Sequence, residues 1–102
     1  MSVIYVNKNN FEQEVIKSDR PVLLDFFANW CGPCRMLSPI VEKIAAEHPE
    51  YKICKINVDE EGELAERFEV MSIPSLFVIK NGEVAEASVG ALPEAQILAM
   101  LK

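Results

Sequence analysis

Two of the three cysteines in this chain are spaced to do covalent chemistry together. Cys31-Gly32-Pro33-Cys34 follows directly on an apolar run and opens a helical pattern. Two thiols three positions apart at a helix start lie on one turn, close enough to bridge. Pro33 has no N–H to lose and fixes φ in the first turn, which stiffens the loop. The unpaired N–H groups and the positive end of the helix dipole favour a thiolate, and Cys31 gains most because Cys34 already lies inside the first turn. Cys31 is therefore expected to be the exposed nucleophile and Cys34 the shielded resolving thiol. In such chemistry the Cys31 thiolate attacks a partner disulfide and forms a mixed disulfide. Cys34 then attacks Cys31, the reduced partner leaves, and a Cys31–Cys34 disulfide remains. The second step needs Cys34 deprotonated, so a buried Cys34 calls for a nearby base.

The elements that must position this pair can be read from patterning. Residues 3–6 form a β-branched run and predict a strand. Asn10 reads as an N-cap, with Gln13 completing a capping box, for a helix that buries Phe11 and Val15 and ends near Lys17. Residues 19–21 are a turn. Residues 22–28 are apolar on both faces, which predicts a central strand covered on both sides. A long helix follows over Gly32–Glu47, with Leu37, Val41, Ile44 and Ala45 inward and a kink expected at Pro39. His48-Pro49 ends it. Residues 51–58 predict another strand, and Asp59 is placed to cap a short helix carrying Leu64, Ala65 and Phe68. Ser75–Lys80 and Glu83–Val89 read as strands joined by Asn81-Gly82, a strong signal for a type I′ hairpin turn. Pro93 is expected at position N1 of a last helix that buries Ile97, Leu98 and Leu101. The order βαβαβαββα predicts an α/β protein: one domain over residues 1–102, with a mixed five-stranded sheet flanked by four helices.

Composition narrows the function. The chain has 102 residues, half of them hydrophobic and a quarter charged, enough for one core and incompatible with disorder. No unbroken apolar run, 76–79 included, is long enough to span a bilayer. Residues 1–20 show no basic start followed by an apolar run, so no secretory signal is expected and the cytoplasm is the expected location. A net charge of -6 without a basic stripe argues against nucleic-acid binding. Cys31 and Cys34 have zinc-knuckle spacing, but four ligands are usual and no second pair exists, so no metal is expected. Cys54, in an apolar strand, reads as a small buried hydrophobe, and His48 as a surface residue at a helix end.

Trp30-Cys31-Gly32-Pro33-Cys34 on a strand–helix junction resembles the thioredoxin family. The resemblance extends over residues 3–101 through Asp25-Phe26-Phe27-Ala28, Pro39, Ile73-Pro74, Lys80-Asn81-Gly82-Glu83 and Val89-Gly90-Ala91. It implies the thioredoxin fold and a protein dithiol–disulfide oxidoreductase that reduces client disulfides through Cys31 and Cys34. Asp25 matches the family's buried acid beneath the active site. The residues agree, because an Asp amid 22–27 is forced inside and desolvation raises a buried carboxyl's pKa, which suits a proton shuttle for Cys34. Lys55 matches the lysine near that acid. Ile73-Pro74 matches a cis-proline loop whose preceding backbone pairs with the client chain. Trp30, Gly32, Pro33, Met71, Ile73, Pro74, Val89, Gly90 and Ala91 are then expected to ring Cys31 as a flat apolar patch for protein clients.

The Gly-Pro dipeptide between the cysteines resembles reducing members of the family. The resemblance further implies no bound cofactor: electrons come from NADPH through a partner flavoprotein, a thioredoxin reductase. A Gly-rich dinucleotide loop is missing from the chain, so any NADPH belongs to that partner. A monomer is expected, with disulfide-containing proteins as clients and no nucleic-acid or membrane partner. Three positions depart from the family pattern: Phe27 where a second tryptophan is usual, Ser72 where glycine is common, and Ser75 where threonine is common. The competing reading is a binding module that uses the patch around Trp30 without turnover.

Overall fold

A computed structural model describes residues 2–102. Its five strands are β1 (Ile4–Tyr5), β2 (Val22–Phe27), β3 (Lys52–Asn57), β4 (Ser75–Lys80) and β5 (Glu83–Val89). They form one sheet in the order β1-β3-β2-β4-β5. β1 and β2 both run parallel to β3, while β4 runs antiparallel to β2 and to β5. The helices are α1 (Gly32–Glu47), α2 (Gly62–Arg67) and α3 (Glu94–Leu101). The mixed sheet and its flanking helices are those expected from the sequence.

All six residues of β2 are buried, the result of its central place in the sheet. Alternation along the strand sends its side chains to two cores. Leu24 and Phe26 join Phe11, Val15, Cys54, Ile56 and Leu64 on one face. Leu23 joins Leu37, Val41, Ile44, Ile53, Leu76, Val78, Ile97 and Leu101 on the other. Asp25 falls on the second face, two residues from Leu23, in register with Lys55 of β3 and Leu76 of β4. The β4–β5 hairpin turns through Asn81 (φ 55°) and Gly82 (φ 80°), the paired positive φ values a type I′ turn requires.

Three local expectations need correction. The first helix is a five-residue π-helical turn, Glu12–Ile16, closed by Lys17 N–H on the Glu12 carbonyl. Its capping box lies three residues earlier than expected. Asn7 Oδ1 accepts from the Asn9 and Asn10 N–H groups, and Asn10 Oδ1 accepts from the Asn7 N–H in return. Asn10 thus closes the box from the turn that leads into the helix, three residues after Asn7, and Gln13 has no part in it. Asp59 does not cap α2, which opens at Glu61 without a side-chain cap. Its carboxylate accepts from Trp30 Nε1 at 2.9 Å instead. Pro93 is the N-cap of α3 rather than its first residue, with extended ψ (155°).

The relocated box makes a prediction. Asn7→Ala leaves two helix-start N–H groups without their acceptor and should lower stability by about 1 kcal/mol. Gln13→Ala, on an exposed position, should change it by less than about 0.5 kcal/mol. Denaturant unfolding of the two variants distinguishes the two placements.

Candidate active site

The chain leaves β2 at Phe27, turns through residues 28–31 and enters α1 at Gly32. Cys31 is the N-cap of α1, in extended conformation (φ -89°, ψ 113°), with proline in the first turn. Cys31 and Cys34 are joined by a disulfide with their Cα atoms 5.3 Å apart. The Cys34 N–H donates to Cys31 Sγ at 3.2 Å. A sulfur therefore takes the place usually filled by a Ser or Asp oxygen, accepting one of the orphan donors at the helix start.

The expected difference in exposure is not found in this oxidised state. Both cysteines are equally buried, at 4 % exposure each. They pack with Phe27 and Ala28, and Val58 and Ile73 close over them. What separates the two sulfurs is hydrogen bonding, since Cys31 receives the helix amide. Cys31 Sγ also lies 3.8 Å from the Ile73 carbonyl oxygen, an acceptor toward which a reduced thiol can point.

Ile73 and Pro74 face the pair across a cis peptide bond. The loop is held on both sides. Ser75 Oγ donates to the Ser72 carbonyl, and the Gly90 N–H donates to the Pro74 carbonyl at 2.8 Å. Gly90 has φ 97°, a region that favours glycine, which explains a glycine where this loop approaches the proline loop. Trp30, Met71 and Val89 are exposed, at 68 %, 93 % and 66 %. Trp30, Met71 and Ile73 line a groove of about 460 Å³ together with Val58, Ala65, Val70 and Ser72. Sequence reasoning missed Val58 and Ala65, which read as core positions of a strand and a short helix, and Val70, which lies in the loop after that helix.

In the middle of β2, Asp25 is 1 % exposed, and among the described residues neither of its carboxylate oxygens has a hydrogen-bond partner. Burial pushes its pKa up from 3.8 to about 6, against a smaller downward pull from the Lys55 charge. Lys55 is buried too, at 6 % exposure. Its ammonium does not pair with Asp25; the ion pairs among the described residues do not include that carboxylate. Lys55 Nζ donates to Ser38 Oγ at 2.9 Å and sits 4.6 Å from the Phe27 ring centroid. Phe27 thus supplies a cation–π face where the family usually has tryptophan. A cavity of about 190 Å³ beside Cys34 is lined by Tyr5, Phe27, Ser38 and Lys55.

Cys54 lies in the core on the opposite face of the sheet, apart from the pair. Burial pushes its thiol up to about 12, so it is inert. His48 contacts Glu50 at the far end of α1. Neither donor is brought to Cys31 and Cys34, so the zinc alternative gains no further ligand from them.

Comparison with known proteins accords with this geometry. The Thioredoxin family model matches residues 2–102. The chain belongs to the thioredoxin family. It is 47 % identical over 96 residues to a thioredoxin of Haemophilus influenzae, covering 93 % of this chain and 90 % of that one. It is 46 % identical over 98 residues to a thioredoxin of Porphyra purpurea, covering 95 % and 92 %. A solved structure of a mutant thioredoxin from Halobacterium salinarum superposes with a TM-score of 0.90 at 35 % identity, covering 98 % of this chain and 88 % of the other. The fold is therefore the thioredoxin fold, and the chain is a dithiol–disulfide oxidoreductase of the thioredoxin type. No helix among the described residues is long and apolar enough to cross a membrane.

Burial of Asp25 makes stability depend on pH in a defined direction. Its folded pKa lies above its unfolded value, so the folded state holds the proton more tightly. The penalty is absent below about pH 4, grows through about pH 6, and is complete above that. Asp25→Ala should therefore be more stable than the parent at pH 8, by up to about 3 kcal/mol on a shift of this size. The gain should vanish near pH 3.5, as measured by denaturant unfolding at the two pH values.

Proposed function

We propose that this thioredoxin-family protein reduces disulfides in client proteins, with Cys31 attacking and Cys34 resolving. The observation that carries the assignment of roles is the Cys34 N–H on Cys31 Sγ at 3.2 Å, at the head of α1. In the dithiol form that amide and the helix N-terminus stabilise negative charge on Cys31. The Cys31 thiolate attacks one sulfur of the client disulfide. A Cys31–client bond forms, the client S–S bond breaks, and the other client sulfur leaves as a thiolate that takes a proton. Cys34 then attacks Cys31 Sγ. The Cys31–Cys34 bond forms, the mixed disulfide breaks, and the second client thiolate leaves. Two electrons pass from the dithiol to the client.

Asp25 is the base that takes the Cys34 proton. Its pKa of about 6 leaves it mainly ionised at pH 7, yet basic enough to bind a proton transiently. Lys55 sits in register with it and moderates its charge. Clients lie against Trp30, Gly32, Pro33, Ile73, Pro74, Gly90 and Ala91. The client backbone pairs with the chain ahead of Pro74, where Met71 and Ser72 are exposed. The apolar groove beside Trp30 takes a neighbouring apolar client side chain.

Recharging the disulfide requires two electrons from outside. We assign these to NADPH, delivered by a partner flavoprotein of the thioredoxin reductase class, with no cofactor held by this chain. The protein acts as a monomer in the cytoplasm, where reducing conditions keep such a couple working toward client reduction.

Replacing each cysteine tests the order of attack. Cys34→Ser, incubated with a disulfide-bonded polypeptide such as insulin, should accumulate a mixed disulfide on Cys31 that a thiol reductant releases. Cys31→Ser should form none and reduce no client. Accumulation on Cys34 in the second variant would reverse the assignment. Asp25→Ala should slow the resolving step at pH 7 by at least roughly 10-fold, read by quenching the mixed disulfide in a rapid-mixing experiment.

A further inference from the structure

A hydrogen-bonded chain runs from the buried ammonium of Lys55 to the surface of α1. Lys55 Nζ donates to Ser38 Oγ at 2.9 Å, and Ser38 Oγ donates to Glu42 Oε2 at 3.1 Å. The direction of both bonds is fixed by chemistry. An ammonium has no acceptor, so Ser38 must accept from Lys55, and its single proton is left for the Glu42 carboxylate. Aromatic faces complete the ammonium's surroundings, with the Phe27 centroid 4.6 Å and the Tyr5 centroid 5.9 Å away. The side chain is thus held toward α1, although its backbone lies in register with Asp25. Both oxygens of Asp25 remain without a partner.

We propose that Ser38 is a positioning residue for the redox reaction: by anchoring Lys55 toward Glu42 it keeps the ammonium off Asp25 and preserves that carboxylate as a base for Cys34. A buried ammonium stripped of its acceptor seeks another. Without the Ser38 hydroxyl, the exposed Glu42 carboxylate is left to water, and the buried unpartnered acceptors on the lysine's face of the sheet are the two Asp25 oxygens. A direct ion pair there would stabilise the carboxylate and weaken it as a base.

The other groups around Asp25 leave this balance to Lys55. β4 brings Leu76 into register, and α3 brings Ile97 and Leu101 to the same core, none of them titratable. α1 brings Cys34, Arg35 and Ser38 to the cavity that Lys55 lines, with Glu42 hydrogen-bonded to Ser38. The Arg35 guanidinium is turned to the Asn29 carbonyl, at 2.8 Å. β1 contributes the Tyr5 ring at the cavity. Ser38 stands one helical turn after Cys34, so the same face of α1 carries the resolving thiol and the anchor of its base's counter-charge.

The proposal rests on the reading of Asp25 as the base for Cys34, and its test is chosen to fail separately from that reading. The Asp25 carboxyl is titrated by carbon-detected NMR in the oxidised protein, which reports on the carboxyl whether or not it serves Cys34. Ser38→Ala should move the Asp25 midpoint down by roughly one unit, and Ser38→Thr should restore it. In a Lys55→Met background, Ser38→Ala should have no effect, because the serine acts through the lysine. In the reduced protein the acid limb of the resolving rate should shift to lower pH with Ser38→Ala. An unchanged or raised Asp25 midpoint in Ser38→Ala would overturn the proposal, as would an equal shift in the Lys55→Met background. Alanine favours the helix at this position, and the Lys55→Met pair gives a second comparison should the single variant be weakened.

Discussion

One sulfur serving as the cap of a helix is the constraint around which this molecule is arranged. A helix start exposes N–H groups that need acceptors, and here an acceptor is the atom that does the chemistry. Placing Cys31 at that point requires β2 to stop at Phe27, the chain to turn in the next few residues, and α1 to begin at Gly32. Sixteen residues of α1 then anchor the site, with Leu37, Val41, Ile44 and Ala45 packed into the core. The proline loop is held opposite by the Gly90 N–H and the Ser75 hydroxyl. The sulfur, the helix and the facing carbonyl of Ile73 are thereby held in relation by the chain's own contacts.

A second demand conflicts with stability. Resolution of the mixed disulfide needs a base under Cys34, and a base that remains protonatable near neutral pH must be shielded from solvent and from full ion pairing. The central strand supplies the shielding at position 25. The neighbouring strand supplies a cation in register, which the serine of α1 turns aside. Asp25 thus stays both charged and without a partner, a costly arrangement in a core. The proposed role of Asp25 as the base for Cys34 gives that cost a function.

Most of this was legible in the residues. Two thiols three apart, a proline between them and an apolar run before them place the redox pair on a strand–helix junction. An acid amid 22–27 could only be inside. Element order led to the mixed sheet, since a crossover helix implies parallel strands and Asn81-Gly82 implies a hairpin. The local errors share a cause: polar side chains chose partners that short-range patterns do not show. Asp59 was taken by the Trp30 indole, 29 residues away in sequence. Asn10 paired back to Asn7 rather than forward to Gln13. The equal burial of Cys31 and Cys34 depends on Ile73 and Val58 closing over the pair, a long-range contact. Ser38 carries one sequence signal, its spacing of one helical turn from Cys34.

The central claim is that hydrogen bonding at the head of α1, not exposure, makes Cys31 the nucleophile. Its most direct test is the rate of iodoacetamide modification at pH 7 in the reduced Cys34→Ser and Cys31→Ser proteins, each read by mass spectrometry. The account predicts that Cys31 reacts at least roughly 10-fold faster than Cys34, with Cys54 unmodified in both. Equal rates, or faster modification of Cys34, would contradict it.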